Sequence, residues 1–256
     1  YYASRWLGDV YKRQIMNYVD AFTTPKITKA LITTFKYSFI TVPLKLVFAL
    51  FIAYILNFKI ACVNVFRTVY YIPSILGGSV AIAVLWKAVF RDDGLVNTLI
   101  RMLTFGHFQG PSWLSDPSYA LWIICFLRIW QFGSAMVLFL AALKGVPADL
   151  YEAATIDGAG KWKQFWKVTF PLVMPFVTIN LVLSTKNFLM VFDQIMSLTK
   201  GGPAQSTESI SYLIYRNGMD GGQFGFQSAN AVIFFVVIVA ISLFQMGVMN
   251  KKEEQL

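Results

Sequence analysis

Charge, cysteine and histidine are all scarce in this chain of 256 residues, and each scarcity closes off a class of function. Only 14% of the residues are charged and 57% are hydrophobic, with a mean hydropathy of +0.58. A water-soluble domain carries roughly a quarter charged residues, so the composition points to an integral membrane protein. The two cysteines, Cys62 and Cys125, lie in or beside apolar runs and suggest neither a disulfide framework nor a metal site. The single histidine, His107, stands in a polar loop with no acidic or cysteine partner nearby, and so reads as a solvated residue rather than a ligand or general base. A membrane-embedded enzyme would need clustered His, Asp or Cys, so no catalytic residue and no cofactor is expected. Nor is there a G-x-x-x-x-G-K-[ST] phosphate loop, so the chain cannot bind ATP in the P-loop manner and must take any energy from a partner. Asp193 is the one acidic residue inside an apolar segment and no internal repeat is evident, which argues against an ion-coupled secondary transporter.

What is there is a series of long apolar segments. Ala30–Asn57, Thr68–Trp86, Tyr119–Leu143, Pro171–Leu198 and Gly221–Asn250 each have the length of a membrane crossing. The last runs 30 residues without a formal charge and is followed by Lys251 and Lys252. Thr68–Trp86 is interrupted by Pro73 and Gly77-Gly78, which predicts a kink and a close approach by another helix. Lys36 and Lys45 lie inside the first span, where the ordinary expectation is that they snorkel to an interface. Arg128 and Gln131 lie inside the third; a cavity, a neighbouring helix and an interface all remain open for Arg128. The fourth holds Asn180, Lys186, Asn187 and Asp193, and the seven-residue spacing of Lys186 and Asp193 predicts one shared helical face. Between spans, Leu95, Leu99 and Met102 read as a short amphipathic helix, and Ile210, Leu213 and Ile214 as another. The net charge of +9 has no basic, aromatic-interleaved patch behind it, so no nucleic acid partner is expected.

The most informative stretch is Val146–Pro175, VPADLYEAATIDGAGKWKQFWKVTFPLVMP. Pro147 suits a first helical turn, Asp149 and Glu152 suit the positive N-terminal end, and Gly158 suits a left-handed stop. After Gly160, the residues Trp162, Phe165, Trp166 and Thr169 recur at helical spacing, with Lys161, Lys163, Gln164 and Lys167 on the other side. The expected object is a helix–glycine–helix hairpin between two apolar spans, too charged and irregular for lipid and therefore a docking surface.

Glu152-Ala153-Ala154, Asp157-Gly158-Ala159, Phe165, Val168, Pro171 and Pro175 resemble the EAA loop of ABC importer permeases, specifically carbohydrate uptake permeases of the maltose and glycerol-phosphate type. LTKGGPAQST resembles that family's external loop between its last two helices, and FGFQSANAVIFFVVIVAISLFQ its final span. The resemblance implies an all-α membrane protein, a type I ABC importer transmembrane domain over residues 15–256, with a cytoplasmic coupling loop at 146–170. Asn17-Tyr18 and Phe22 resemble the external loop after the family's first helix, so about five of the usual six spans are expected, in an N-terminally truncated chain. Residues 1–14, YYASRWLGDVYKRQ, fit nothing in the rest of the chain and resemble translated adapter sequence.

Orientation is set by the basic residues. Lys59, Arg67, Lys144, Lys161, Lys163, Lys167, Lys251 and Lys252 crowd one alternating set of short loops, whereas Lys26, Lys29, Arg91, Arg101, Lys200 and Arg216 are spread over longer ones. The denser set is expected to be cytoplasmic, with the hairpin and the C-terminus, in a multi-pass protein of a bacterial or archaeal cytoplasmic membrane. As the resemblance implies, the partners are a cytoplasmic ABC ATPase dimer, a second permease subunit in a hetero-dimer, an extracytoplasmic solute-binding protein and membrane lipid. Glu152, Ala153, Ala154, Asp157, Gly158, Ala159, Phe165 and Pro171 are expected to couple to the ATPase. Gln131, Trp130, Asn180, Asn187 and Asp193 are candidates for the path of a sugar or polyol, chosen by polarity and depth. A channel or secondary transporter with no ATPase partner is the rival reading, and it gives the hairpin no purpose.

Overall fold

The computed structural model describes residues 14–58, 61–77, 80–108 and 110–253. Most of the segment read as foreign, together with Lys59 and Gly78, falls outside these. Among the described residues there are helices and no strands. Residues 14–23 form α1, so the stretch with Asn17, Tyr18 and Phe22 is helical rather than looped. Then come α2 (Pro25–Asn57), α3 (Val63–Leu76), α4 (Val80–Val89), α5 (Leu95–Leu103), α6 (Pro117–Trp130), α7 (Gly133–Lys144), α8 (Ala148–Ile156), α9 (Lys161–Gln164), α10 (Phe170–Leu189), α11 (Asp193–Leu198), α12 (Ile210–Tyr215) and α13 (Phe224–Glu253). Single π-helical turns, Phe165–Thr169 and Arg216–Asp220, follow α9 and α12.

Four stretches are long and apolar enough to cross a membrane: Pro25–Asn57, Pro117–Lys144, Lys161–Leu189 and Phe224–Lys251. A broken pair, Val63–Leu76 with Ala81–Val89, makes a fifth when counted as one span. The number matches the sequence expectation, but the fourth span does not run to Leu198. Its helix begins in the hairpin, ends at Leu189, and Asp193 opens a separate short helix after a break. Lys186 and Asp193 therefore share no helical face, and Asp193 lies outside the span.

The chain divides into two compact units. One holds the residues up to Phe39, Ser79–Cys125 and Asn187–Ala240; the other holds Ile40–Gly78, Phe126–Lys186 and the chain from Ile241. In the first, Tyr37 and Phe188 meet edge to face at 5.9 Å, both nearly inaccessible. Its long 199–209 loop is tied down by backbone capture, as buried polar backbone requires. Lys29 Nζ donates to the Ala204 carbonyl (3.1 Å), and Thr34 Oγ1 accepts from the Ile210 amide (3.0 Å). Ser209 caps α12 by accepting from the Tyr212 amide (3.2 Å) while donating to the Val191 carbonyl (2.8 Å). Glu208, 2% exposed, pairs with Arg216 at 2.6 Å. The amphipathic α5 exists, but it turns Leu95, Leu99 and Met102 outward and buries Asn97. Asn97 Nδ2 donates to the Asp92 and Pro111 carbonyls (3.1 and 3.3 Å), and its Oδ1 accepts from Trp113 Nε1 (2.7 Å). An outward apolar face is the stable arrangement where lipid replaces water. His107 is exposed, in the turn after α5.

In the second unit the core forms around small residues, since lipid gives apolar helices no hydrophobic reason to associate and close packing must hold them. Ala49 and Ala53 of α2 are fully inaccessible, as is Met136 of α7. At Gly133 a Cβ would come within 2.5 Å of the Tyr70 carbonyl oxygen, so only glycine lets α7 approach α3 this closely, and Ser134 N donates to Ser74 Oγ beside it (3.1 Å). Gly77 also marks a close approach, to the Gln131 side chain.

Candidate functional site

The hairpin forms as two arms closed by specific polar contacts, all within the second unit. Pro147 stands at the N-cap of α8 in an extended conformation, one position before the first turn, and Asp149 occupies that first turn. Gly158 has φ +72, and the Gly158 and Ala159 amides donate to the Thr155 and Ala154 carbonyls (3.0 and 2.9 Å). This is the left-handed helix stop with its paired 5→2 and 6→1 bonds, as the sequence predicts. Apart from Gly158 itself and its chain neighbours, no atom of the described residues lies within 4 Å of where a Gly158 Cβ would be, so the requirement for glycine there is conformational rather than steric.

The second arm departs from the expected pattern. Trp162 and Trp166 are exposed, but Thr169 is 1% exposed and Gln164, expected beside the lysines, is 3% exposed. The π-helical turn at Phe165–Thr169 inserts an extra residue into the repeat and brings Thr169 onto the face of Gln164, five residues before it. Pro171 explains the turn: proline cannot donate to the residue four before it and its ring crowds that carbonyl, so the helix widens just upstream. Gln164 Nε2 then reaches across the hinge to Thr155 Oγ1 and the Ala159 carbonyl, both at 2.9 Å. Tyr151 Oη and Thr169 Oγ1 meet at 2.9 Å nearer the base. Sequence reading missed Gln164, Thr155, Tyr151 and Thr169 as closing residues; no local signal marks them, because the pairing is set by a register shift.

Of the residues expected to couple, Glu152, Ala153, Asp157 and Gly158 are exposed, and Ala154, Ala159, Phe165 and Pro171 are half-buried. Phe165 packs edge to face on Tyr54 of α2 at 5.1 Å and so anchors the hairpin. No residue of α8 is buried, and Leu150, Ile156 and Trp162 present apolar surface outward, Ile156 at 87% exposure.

The five candidates for the transport path are divided between the two units, Gln131, Trp130 and Asn180 in the second and Asn187 and Asp193 in the first. Gln131 is buried at the break between α6 and α7. Its Nε2 donates to the Gly77 carbonyl (3.3 Å), and its Oε1 accepts from Arg128 Nη1 (3.1 Å). Trp130 is half-buried beside it, and Asn180 of α10 is 5% exposed, with no hydrogen-bond partner for Nδ2 among the described residues. Asn187 and Asp193 belong to the first unit and are exposed. Lys45, expected to snorkel, is instead 8% exposed. Lys36 is exposed.

Comparison with known proteins gives this geometry a family. The chain is 38% identical over 244 residues to "Probable ABC transporter permease protein YesP" of Bacillus subtilis, covering 94% of this chain and 76% of that one. To "Multiple sugar-binding transport system permease protein MsmF" of Streptococcus mutans it is 32% identical over 260 residues, covering 99% and 87%. A chain of the solved bacterial ABC transporter involved in the import of the acidic polysaccharide alginate shares its fold with a TM-score of 0.79 at 25% identity, over 92% of this chain and 82% of that one. The family described as "Binding-protein-dependent transport system inner membrane component" matches residues 21–253. The chain therefore belongs to that family and is a membrane-spanning permease component of a transport system, rather than an enzyme.

Proposed function

We propose that this chain is a permease subunit of an ATP-driven importer, carrying a sugar or related polyol across a bacterial or archaeal cytoplasmic membrane. An extracytoplasmic binding protein delivers the cargo, a second permease subunit completes the path, and a cytoplasmic ATPase dimer grips the 146–170 hairpin. The hairpin and the C-terminus are cytoplasmic, and residues 15–256 form the permease domain. Sugar is the cargo class in the names of the streptococcal relative and the alginate system. Gln131, Trp130, Asn180 and Asn187 remain path candidates, with Asp193 at the head of α11.

The observation that carries the coupling role is α8, a helix with no buried residue, set on a glycine hinge and closed against its own second arm. A helix of nine residues is marginal in isolation, and docking against a partner supplies the contacts it lacks. Movement of the ATPase dimer then pulls a rigid hairpin, and α10, which continues from its second arm, carries the motion into the membrane.

Gly158→Val tests this in the assembled complex with its ATPase, second permease and binding protein. A left-handed conformation costs a non-glycine residue about 1–2 kcal/mol, and a β-branched one more, with no clash to confuse the effect. The complex is expected to assemble while cargo-stimulated ATP hydrolysis falls, with Gly158→Ala intermediate. Unaltered stimulation in the valine variant overturns the assignment.

A further inference from the structure

We propose that an open cleft in the first unit, between the turn after α4 and the turn after α11, binds a neutral mono- or disaccharide unit on the extracytoplasmic face. The proposal rests on the importer reading and adds to it a sugar site lined by none of the five path candidates.

Sidedness follows from the course of the chain. The crossing Pro117–Lys144 leads at Lys144 into the hairpin, and the crossing Lys161–Leu189 leaves it. With the hairpin cytoplasmic, Pro117 and Leu189 are the outer ends of those crossings. One wall of the cleft belongs to the connection that precedes Pro117, and the other to the connection that follows Leu189. Both walls are therefore extracytoplasmic.

Each wall is held in shape by its own side chains. On one side Asn97 Nδ2 donates to the Asp92 and Pro111 carbonyls and Asn97 Oδ1 accepts from Trp113 Nε1, which fixes the segment carrying Leu114 and Ser115. On the other, Thr199 Oγ1 and Thr207 Oγ1 meet at 2.7 Å, and Thr207 Oγ1 donates to the Gly202 carbonyl at 2.6 Å, closing the turn that carries Gly202 and Pro203. The space between them is about 750 Å³, within the roughly 300–1,000 Å³ of small-molecule sites. Walls ordered before the ligand arrives lose little entropy when it binds.

The lining selects the class of ligand. Phe90 and Leu198, 7% and 4% exposed, join Leu114 and Pro203 as apolar surface on which the C–H face of a sugar ring can lie. The charged residues of the lining are Lys87, Arg91, Asp92 and Asp93, two of each sign, so the cleft has no net attraction for an ion of either charge. Arg91 and Asp93 pair with each other at 3.0 Å, whereas the Lys87 and Asp92 side chains form no hydrogen bond or ion pair among the described residues. An ammonium group only donates and a carboxylate only accepts, while a hydroxyl does both. Hydroxyls at different carbons of one neutral sugar therefore serve Lys87 and Asp92 together. A wholly apolar ligand would leave both charges without a partner, and an ion would meet its own sign.

The test uses the complex of this chain with its ATPase and second permease in lipid nanodiscs, without the binding protein. In a Cys62→Ser background, Ser115→Cys sets a thiol at the exposed rim of the cleft, and the remaining native cysteine, Cys125, is buried. The rate at which a bulky maleimide modifies it is followed against maltose, trehalose, lactose and sucrose, with His107→Cys as an exposed control outside the lining. At least one of these sugars should slow modification at residue 115 in a saturable way and leave residue 107 unchanged. Lys87→Met and Asp92→Asn should each raise the half-protecting concentration about tenfold, and Asp92→Glu, which keeps the acceptor, should raise it less. Protection by none of the sugars, equal slowing at residue 107, or protection unchanged in both variants overturns the proposal. So does protection by sugar-free binding protein where no free sugar protects, which would make the cleft a protein-docking surface. Cargo-stimulated ATP hydrolysis after the binding protein is added, and its fall in Gly158→Val, report on the importer reading separately.

Discussion

Gln164→Met is the most direct probe of how the hairpin is closed. Methionine keeps the length and flexibility of the side chain and removes its amide donors. Two hydrogen bonds vanish, to Thr155 Oγ1 and to the Ala159 carbonyl, each 2.9 Å in the native chain. A typical intramolecular hydrogen bond contributes about 0.5–1.5 kcal/mol net. The Thr155 hydroxyl is exposed and keeps its own bond to the Tyr151 carbonyl at 2.7 Å, so its loss falls at the low end. The half-buried Ala159 carbonyl loses its side-chain donor and falls higher. The sum is about 1–2 kcal/mol, a factor of roughly 5–30 in the open population of the hairpin. Hydrogen exchange on the detergent-solubilised protein should show amides of residues 148–160 losing protection by that factor, while those of Phe224–Glu253 are unchanged. Gln164→Glu, nearly the same shape, sets a carboxylate against the Ala159 carbonyl and should open the hairpin further than methionine. Protection equal to wild type in both variants would refute the closure mechanism, and an effect in methionine alone would show that packing rather than donation is at stake.

Two further predictions rest on single side chains. Asn97→Leu removes both carbonyl bonds and strands the Trp113 indole N–H, so the 92–113 segment should loosen by about 2–4 kcal/mol; limited proteolysis should cut there first, and an uncut segment counts against it. Asn180→Leu deletes a buried amide donor that has no partner among the described residues, so the thermal midpoint should hold or rise slightly. Transport should nonetheless fall if the amide faces the cargo, and unchanged uptake removes Asn180 from the path.

How much the sequence disclosed depended on the range of the interactions involved. The α8 stop at Gly158 was readable because a left-handed residue and its two backbone bonds are a local matter, settled within six residues. The number of spans was readable because hydropathy reports solubility in lipid. The end of the fourth span was not, because apolar residues continue through Val191, Phe192 and Ile195 after the helix has broken, and hydropathy is blind to backbone continuity. Thr169 was assigned to the wrong face for a related reason. A period of 3.6 residues holds only while the i→i−4 ladder holds, and the π-helical turn before Pro171 breaks that count, bringing Thr169 onto the face of Gln164. Lys45 is the sharpest case. Its place in α2 is plain from the sequence, but whether its stripe meets lipid or protein depends on which helices pack against Ala49 and Ala53, a long-range fact.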